Sequence, residues 1–229
     1  YVLIVAGGKG LRMGGDLPKQ FIPMRGKPLL MHTLEAFHRW DASARIILVL
    51  PEDHQPYWNM LCKEIGCKVP HAIVKGGDTR FFSVKNGLDW LLAERRRKGE
   101  EDSGLSLVAV HDGVRPFVSP EVVEACFDKA AVTGAVIPVV PMIDSLRETD
   151  EKGSHPVDRS RYMAVQTPQV FHLELLTKAY EQPYSSLFTD DASVVEAMGH
   201  AIDTVPGDRE NIKITTPFDL LIAEAMFAR

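Results

Sequence analysis

The sequence has three cysteines, no long apolar run and no excess of positive charge, and each of these shortages excludes a class of protein. Cys62, Cys67 and Cys126 are odd in number and lack CxxC spacing, which argues against a disulfide framework and favours a reducing, cytoplasmic compartment. No apolar run approaches the ~20 residues that a membrane-spanning helix needs, so we expect no membrane partner. The formal net charge of −5 argues against a protein that binds nucleic acid through a basic face.

Against this acidic background, glycines and cations are concentrated near the N-terminus. Four apolar residues, 2–5, predict a short buried strand, and residues 6–21 then read AGGKGLRMGGDLPKQF. Glycines let the backbone turn sharply and bring its N–H groups close to an anion. Lys9, Arg12 and Lys19 add positive charge at the same place. We therefore predict a loop that binds more than one phosphate.

Two well-known phosphate-binding loops do not fit this segment. A Walker loop ends in Gly-Lys-Ser/Thr, whereas Gly15 is followed by Asp16 and Leu17. The dinucleotide fingerprint Gly-x-Gly-x-x-Gly begins at Gly8, but Met13 occupies the position of its third glycine, which counts against a dehydrogenase. The alternative to a nucleotide site is a glycine-rich turn with surface cations, which any α/β protein could carry.

Strands and helices alternate along most of the chain. Strands are predicted at residues 2–5, 45–50, 72–74, 105–110, 136–140, 202–205 and 212–214. Helices are predicted at residues 28–40, 57–65, 83–96 and 120–131, up to residue 180, from 189 to near 199, and from 217 onward. This alternation indicates an α/β fold, a Rossmann-like, mainly parallel sheet covered by helices. We expect residues 1–229 to form a single domain.

The segment 141–161 breaks the alternation. Polar and charged residues dominate it, and Asp-Glu-Lys-Gly at 150–153 predicts the turn of a protruding hairpin. A polar arm of this kind faces either solvent or a partner subunit, and we expect a β-arm that serves dimerisation.

Three polar segments follow predicted strands: the N-terminal loop, Gly76-Gly77-Asp78 and His111-Asp112. Ligands of parallel sheets bind beyond the carboxyl ends of the strands, so these segments should meet at one edge. Asp112 is predicted to hold Mg²⁺ against phosphate oxygens, the alternative being a helix cap or an ion pair with Arg115. His111 is predicted to make a structural hydrogen bond, because phosphate oxygens are nucleophilic without a catalytic base.

Several ordered blocks span nearly the whole chain. They are AGGKGLRM at 6–13, PKQ at 18–20, GGDTR at 76–80 with Ser83, HDGVRP at 111–116, VDR at 157–159, QTPQ at 166–169, TDD at 189–191 and NIK at 211–213. On these blocks the chain resembles the 2-C-methyl-D-erythritol 4-phosphate cytidylyltransferases of the non-mevalonate isoprenoid pathway. The resemblance implies a nucleotidyltransferase-type sheet, with CTP and a polyol phosphate as substrates and Mg²⁺ as cofactor. It also implies a homodimer in which the 141–161 arm completes the partner's site.

The resemblance also implies the roles of individual residues. Arg12 and Lys19 would stabilise the transition state and the leaving pyrophosphate, while Arg159 and Lys213 would position the attacking phosphate. Nucleotide-binding roles are implied for Ala6, Gly7, Gly8, Lys9, Gly10, Gly77, Asp78, Ser83, Asp112 and Gly113. Roles at the polyol are implied for Arg115, Ser145 and Thr167, and a role in holding the metal for Asp112.

The sequence departs from the family pattern at two places. Ser145 stands where threonine is frequent, which keeps the hydroxyl, and Gly113-Val114 replaces a common Ala-Ala pair. Two alternative functions remain open at this point. One is a ribitol-5-phosphate cytidylyltransferase that makes CDP-ribitol, and the other is a regulatory domain that binds CTP without turnover.

Overall fold

The computed structural model describes residues 1–7, 17–100, 105–151 and 153–228. The strands are β1 (Val2–Val5), β2 (Pro23–Met24), β3 (Lys27–Pro28), β4 (Ile46–Leu50), β5 (His71–Lys75), β6 (Leu107–Asp112), β7 (Ala135–Pro141), β8 (Arg147–Asp150), β9 (Gly153–Pro156), β10 (Met163–Val165), β11 (Gln169–His172) and β12 (Asp203–Pro206). The α-helices are α1 (Leu29–Trp40), α2 (Gln55–Ile65), α3 (Arg80–Arg97), α4 (Pro120–Thr133), α5 (Leu173–Ala179), α6 (Asp191–Glu196) and α7 (Pro217–Phe227). Short 3-10 helices cover Lys19–Phe21, Glu52–His54 and Arg159–Arg161.

The large sheet is mixed but mostly parallel, as predicted. Strands β6, β1, β4 and β5 lie side by side and run in the same direction. Strand β11 pairs antiparallel with both β6 and β7, β10 pairs antiparallel with β7, and β12 runs parallel to β7. The parallel strands are nearly continuous apolar runs, which is typical of strands that are covered on both faces.

Helices cover both faces of this sheet because alternate residues of each strand point to opposite sides. Val2 and Ile4 of β1 belong to a core cluster with residues of α1, α2 and α4. Leu3 belongs to the other cluster, with residues of α3, α5 and α6. Helix α3 approaches the sheet closely at Gly87, where an added Cβ would lie 2.6 Å from Leu3 Cδ2. A glycine at this position therefore sets the distance between the helix and the sheet.

The predicted strand at 212–214 is wrong. Residues 211–215 have no regular secondary structure and join no sheet, and the Ile214 backbone N–H donates to Val114 O at 3.0 Å. Ile214 is fully buried with Leu29 and Ala223 of α7. The apolar alternation is thus satisfied by packing against helices, which sequence periodicity does not distinguish from packing within a sheet.

The predicted hairpin in the 141–161 arm is confirmed. Strands β8 and β9 pair antiparallel, with Asp150 opposite Gly153, and their residues are exposed. The apolar side chains of Ile143, Tyr162 and Met163, which flank the hairpin, are exposed as well. The contact of this arm with a partner subunit remains a prediction.

The cysteines and the lengths of the helices agree with the composition of the chain in the part that the structure describes. Cys62, Cys67 and Cys126 are all described, and each is a thiol that forms no disulfide, as expected. Among the described helices, none is long and apolar enough to cross a membrane.

Candidate active site

The described residues of the three polar segments meet at the carboxyl edge of the sheet, as predicted. Strand β1 leads into Ala6-Gly7, β5 into Gly76-Gly77-Asp78, and β6 ends at Asp112. Together with the short helix that carries Lys19, they enclose a first cavity. Its described lining residues are Val5, Ala6, Gly7, Lys19, Gln20, Gly77, Asp78, Thr79, Arg80, Ser83, Asp112, Val114 and Lys213.

A second cavity lies next to the first one. Its lining residues are Arg80, Asp112, Arg115, Val165, Gln166, Thr167, Gln169, Thr189, Asp190 and Lys213. Comparison of the two linings shows that Arg80, Asp112 and Lys213 belong to both. These three charged residues therefore form the wall between the cavities, and a molecule in either one would meet them.

Asp112 is the acidic member of this shared wall and is surrounded by cations. Its carboxylate oxygen Oδ2 accepts from Arg115 Nε at 3.1 Å and lies 3.0 Å from Lys213 Nζ. Burial by itself would raise the pKa of Asp112, but Lys213, Arg80 and Arg115 outweigh it and hold that pKa well below its usual value. The carboxylate therefore stays ionised at neutral pH.

His111 makes structural hydrogen bonds, as predicted. The Asp112 N–H donates to Thr167 Oγ1 at 3.2 Å, Thr167 Oγ1 lies 3.0 Å from His111 Nδ1, and His111 Nε2 lies 3.1 Å from Arg115 O. A carbonyl only accepts, so Nε2 carries the proton and Nδ1 accepts from the threonine hydroxyl. Burial lowers the pKa of His111 to about 4. The ring is neutral at physiological pH and fixes the end of β6.

Two buried amides hold the segment that presents Lys213. Asn211 Nδ2 donates to Thr167 O at 2.8 Å, and Asn211 O accepts from Arg115 Nη1 at 2.8 Å. Gln166 Nε2 donates to Asp208 O at 2.7 Å, while Gln166 Oε1 accepts from the Asp208 N–H at 3.1 Å. Sequence reasoning assigned no role to Asn211 or Gln166, although both lie within the blocks that carry the resemblance.

Gly77 and Ser83 form a tight turn at the start of α3. The Gly77 N–H donates to Ser83 Oγ at 3.1 Å, and that hydroxyl donates to Thr79 O at 2.9 Å. A Cβ on Gly77 would lie 2.4 Å from Phe82 Cβ, so a larger residue does not fit there without displacing α3. The glycine thus keeps the backbone close to the cavity wall, where it can approach a ligand.

Lys19 belongs to the short helix Lys19–Phe21, in which the side chains of Gln20 and Phe21 are held by contacts with the rest of the chain. Gln20 is buried, and its Nε2 donates to Ala6 O at 3.0 Å and lies 3.2 Å from His54 Nδ1. Phe21 is buried as well. Its ring meets the ring of Tyr57 edge-on and stacks on the ring of Trp58. These contacts place Lys19 in the wall of the first cavity.

Sequence reasoning also missed a role for Arg80. Its Nη1 and Nη2 donate to the two carboxylate oxygens of Asp191 at 2.8 and 2.5 Å. Burial by itself would lower the pKa of Arg80, but Asp191 outweighs this and raises it above its usual value. The available signal was the place of Arg80 in the block GGDTR at 76–80, which carries the resemblance.

Several residues predicted for the site are not among those that line the two cavities in the described part of the chain. Gly8, Lys9, Gly10 and the catalytic candidate Arg12 fall outside the described residues. Within the described part of the chain, Arg159 and Ser145 line neither cavity, and both are exposed near the arm. Gly113 also lines neither cavity in that part of the chain. Its backbone N–H donates to Val5 O at 2.9 Å, and a Cβ there would meet Ala6 Cβ at 2.8 Å.

The described residues contain no group of three or more histidine, cysteine, aspartate and glutamate side chains arranged to hold a metal ion. A divalent ion at this site would therefore need ligands besides the described histidine, cysteine, aspartate and glutamate side chains. Asp112 offers one ionised carboxylate that faces both cavities. One or two carboxylates together with substrate phosphates are the usual ligand set of Mg²⁺, so this arrangement fits the ion.

Comparisons with known proteins identify relatives over the whole chain. A family model described as 2-C-methyl-D-erythritol 4-phosphate cytidylyltransferase matches residues 1–229. A 2-C-methyl-D-erythritol 4-phosphate cytidylyltransferase from Bacteroides fragilis is 56% identical over 224 residues, which cover 98% of this chain and 97% of the relative. A relative of the same name from Porphyromonas gingivalis is 52% identical over 228 residues, covering 99% and 96%.

A solved structure shares the fold. The crystal structure of 2-C-methyl-D-erythritol 4-phosphate cytidylyltransferase from Thermus thermophilus is 32% identical and superposes with a TM-score of 0.74. The match covers 100% of this chain and 98% of that one. The sheet that positions the cleft therefore belongs to a fold with known members.

Proposed function

Because the chain belongs to the 2-C-methyl-D-erythritol 4-phosphate cytidylyltransferase family, we propose that its two cavities bind the two substrates of that reaction. The enzyme is a nucleotidyltransferase of the non-mevalonate isoprenoid pathway, and it transfers CMP from CTP to 2-C-methyl-D-erythritol 4-phosphate. The observation that carries the proposal is the wall that both cavities share, formed by Arg80, Asp112 and Lys213. Two phosphorylated molecules can react only where their sites adjoin.

CTP is proposed to occupy the first cavity. Ala6, Gly7 and Gly77 bring backbone close to the nucleotide, and Ser83 and Asp78 line the same wall. Lys19 lies at this cavity, and Arg12 is proposed to join it from the glycine-rich loop. These two cations would stabilise the negative charge that grows on the leaving pyrophosphate.

The polyol phosphate is proposed to occupy the second cavity, where Arg115 and Thr167 face it. An oxygen of its phosphate attacks the α-phosphorus of CTP, a new P–O bond forms, and the bond to the β-phosphate oxygen breaks to release pyrophosphate. A phosphate monoester has a second pKa of about 6, so at neutral pH its oxygens need no general base. This agrees with a neutral, fully hydrogen-bonded His111. Lys213 offsets the repulsion between the two phosphates.

Mg²⁺ is proposed to bind at Asp112, with phosphate oxygens of CTP completing its ligands. Asp112 would hold the ion through its carboxylate, whose Oδ2 also contacts Arg115 and Lys213. When bound, the ion would neutralise phosphate charge and orient the triphosphate.

The remaining parts of the proposal concern the assembly. We propose a single cytoplasmic domain that forms a homodimer, with Arg159 and Ser145 of the 141–161 arm completing the partner's second cavity. Support comes from the exposure of the arm and from the position of both residues outside the cavities of their own chain. Arg159 would then position the attacking phosphate from the opposite side to Lys213.

Pyrophosphate release from CTP and Mg²⁺ tests the activity. 2-C-Methyl-D-erythritol 4-phosphate and ribitol 5-phosphate would be offered in parallel at equal concentrations. The proposal expects turnover with the first and a kcat/KM at least about tenfold lower with the second, since hydroxyl-reading sites discriminate strongly. A preference for ribitol 5-phosphate, or CTP binding without turnover of either acceptor, would contradict the proposed substrate or the proposed catalysis.

A further inference from the structure

Arg80 lies at the point where the two proposed substrates would react. Its side chain is 29% exposed and lines both cavities, whereas the carboxylate that it contacts, Asp191, is fully buried. An arginine that served only to join α3 to α6 would not need to face either cavity. Arg80 thus forms part of the surface that both cavities share.

The guanidinium is fixed in orientation by a buried acceptor. Both Nη atoms donate to Asp191, and the Tyr180 hydroxyl donates to Asp191 Oδ1 at 2.6 Å. Asp191 is the first residue of α6, which begins with a capping box at Asp190. The Tyr180 ring stacks on Phe81 at a centroid distance of 4.7 Å. Together these contacts hold the planar fork of Arg80 at one angle.

The chemistry of the fork suits two phosphates at once. A guanidinium has five N–H donors, and the contacts to Asp191 use its two Nη nitrogens without saturating them. Its charge already acts on the shared wall, because Arg80 is one of the cations that lower the pKa of Asp112. Fixed donors at a site of charge build-up do not have to reorganise during the reaction.

We propose that Arg80 is a further catalytic residue, which contacts the α-phosphate of the nucleotide and the acceptor phosphate together, and that Asp191 and Tyr180 are positioning residues for it. The proposal rests on the proposed function, because it needs a nucleotide and an acceptor phosphate in the two cavities. Arg80 adds to the cations named above, and its twofold contact with a fully buried carboxylate fixes the direction of its remaining donors.

The test compares conservative variants in the pyrophosphate-release assay, with CTP affinity measured by direct binding. Arg80→Lys keeps the charge but loses the fork, so kcat should fall about 100-fold while the Kd for CTP changes little. Tyr180→Phe keeps the ring and the ion pair but removes one bond to Asp191. It should lower kcat by a smaller factor, about threefold to tenfold, without a change in CTP affinity.

Arg95→Lys is the matched control. Arg95 is a buried arginine of the same helix, about 22 Å from Arg80 along the helix axis, and it donates to Ser106 Oγ at 2.6 Å. This variant should keep the turnover of the wild-type enzyme. A second readout separates catalysis from packing: guanidinium ion added to Arg80→Ala should restore part of its turnover with saturation, and it should not restore that of Lys19→Ala.

The outcomes distinguish failure of this inference from failure of the proposed function. A wild-type enzyme that is inactive with both acceptors would remove the proposed function and this inference with it. An active wild-type enzyme together with a folded Arg80→Lys that keeps its kcat would overturn the inference alone. If Arg80→Lys does not fold, Tyr180→Phe decides, because a folded Tyr180→Phe with unchanged kcat would then overturn the positioning role.

Discussion

At the scale of single residues, the cleft depends on charges whose ionisation is fixed by their neighbours. Asp112 is nearly buried, yet Lys213 and Arg115 at about hydrogen-bond distance keep it ionised. The ring of His111, one residue earlier, contacts a hydroxyl and a carbonyl and is kept neutral by burial. Neighbouring residues on one strand therefore differ in charge at neutral pH: Asp112 at the cavities is ionised, and His111 in the core is neutral.

Lys19→Ala should lower turnover much more than CTP affinity. The ammonium lies at the first cavity, and its interaction with phosphate strengthens as the pyrophosphate charge develops. We expect kcat to fall about 100-fold or more while the Kd for CTP changes only a few fold. Lys27→Ala is the control, because Lys27 pairs with Glu35 at 2.6 Å outside both described cavity linings. An unchanged kcat in Lys19→Ala would remove this lysine from catalysis.

His111 should make the stability of the native protein sensitive to mild acid. Its pKa is about 4 in the folded protein and about 6.5 in an unfolded chain. Between these values the unfolded chain binds a proton that the native protein does not. Acidification from pH 6.5 to 4 should therefore reduce the free energy of unfolding by about 3 kcal/mol through this residue alone.

Urea unfolding at a series of pH values checks this prediction. His111→Gln should be less stable at pH 7, and its stability should fall less steeply between pH 6.5 and 4.5 than that of the wild-type protein. His155→Gln, which changes a histidine exposed on the arm, should keep the wild-type slope. Parallel slopes for His111→Gln and wild type would mean that His111 is not the source of the acid sensitivity.

At the scale of elements, the short helix Lys19–Phe21 shows how the proposed catalytic side chain of Lys19 is placed. Gln20 ties it to the end of β1 through Ala6 O, and Phe21 anchors it on α2. The helix has no side-chain cap of its own, so its position depends on these contacts. The position of Lys19 therefore depends on contacts of its helix with the end of β1 and with α2.

Gln20→Met should therefore lower kcat with Lys19 still present. Methionine fills a similar volume but loses the donor to Ala6 O, and a displacement of about 1 Å can cost up to about 100-fold in rate. Gln182→Met is the control, because Gln182 also donates to backbone carbonyls, at Ala179 and Val194, outside the described cavity linings. Steady-state kinetics of the two variants gives the comparison, and equal kcat values would argue against placement of Lys19 through Gln20.

The elements also show where prediction from sequence works and where it stops. Strands β1 and β4 were predictable because strands that are buried on both faces of a parallel sheet consist of continuous apolar runs. The segment 212–214 has a similar apolar pattern, but it packs on α7 and not within a sheet. Apolar periodicity shows that a residue is buried, and it does not show which element covers that residue. The proposed roles of Asp112 and Lys213 follow from the family blocks, and the structure places both residues at the cavities. The contacts of Arg80 and Asn211 join residues more than 40 positions apart in the chain, and no local pattern contains them.

At the scale of the whole molecule, only some of the residues proposed for the site line the described cavities. Lys19, Asp112 and Lys213 line the cavities, whereas Arg159 and Ser145 lie on the exposed arm segment. The Arg159 guanidinium donates to Ile143 O within that segment, which orients it on the arm and not toward its own cleft. A site assembled from two chains would account for this separation, since a two-fold dimer places each arm on its neighbour.

The most direct test of the whole account mixes two impaired variants, Lys19→Ala and Arg159→Ala, by unfolding and refolding them together, and measures turnover at a low acceptor concentration. If the arm acts in the partner's site, random pairing makes half of the dimers mixed, and each mixed dimer contains one site with both wild-type residues. Activity should then recover to about a quarter of the wild-type value. The control mixture of Lys19→Ala with Lys213→Ala should stay inactive, because both residues belong to one cleft of one chain. Recovery of about a quarter in the first mixture alone is the predicted result, and no recovery above the separate variants would contradict the shared site.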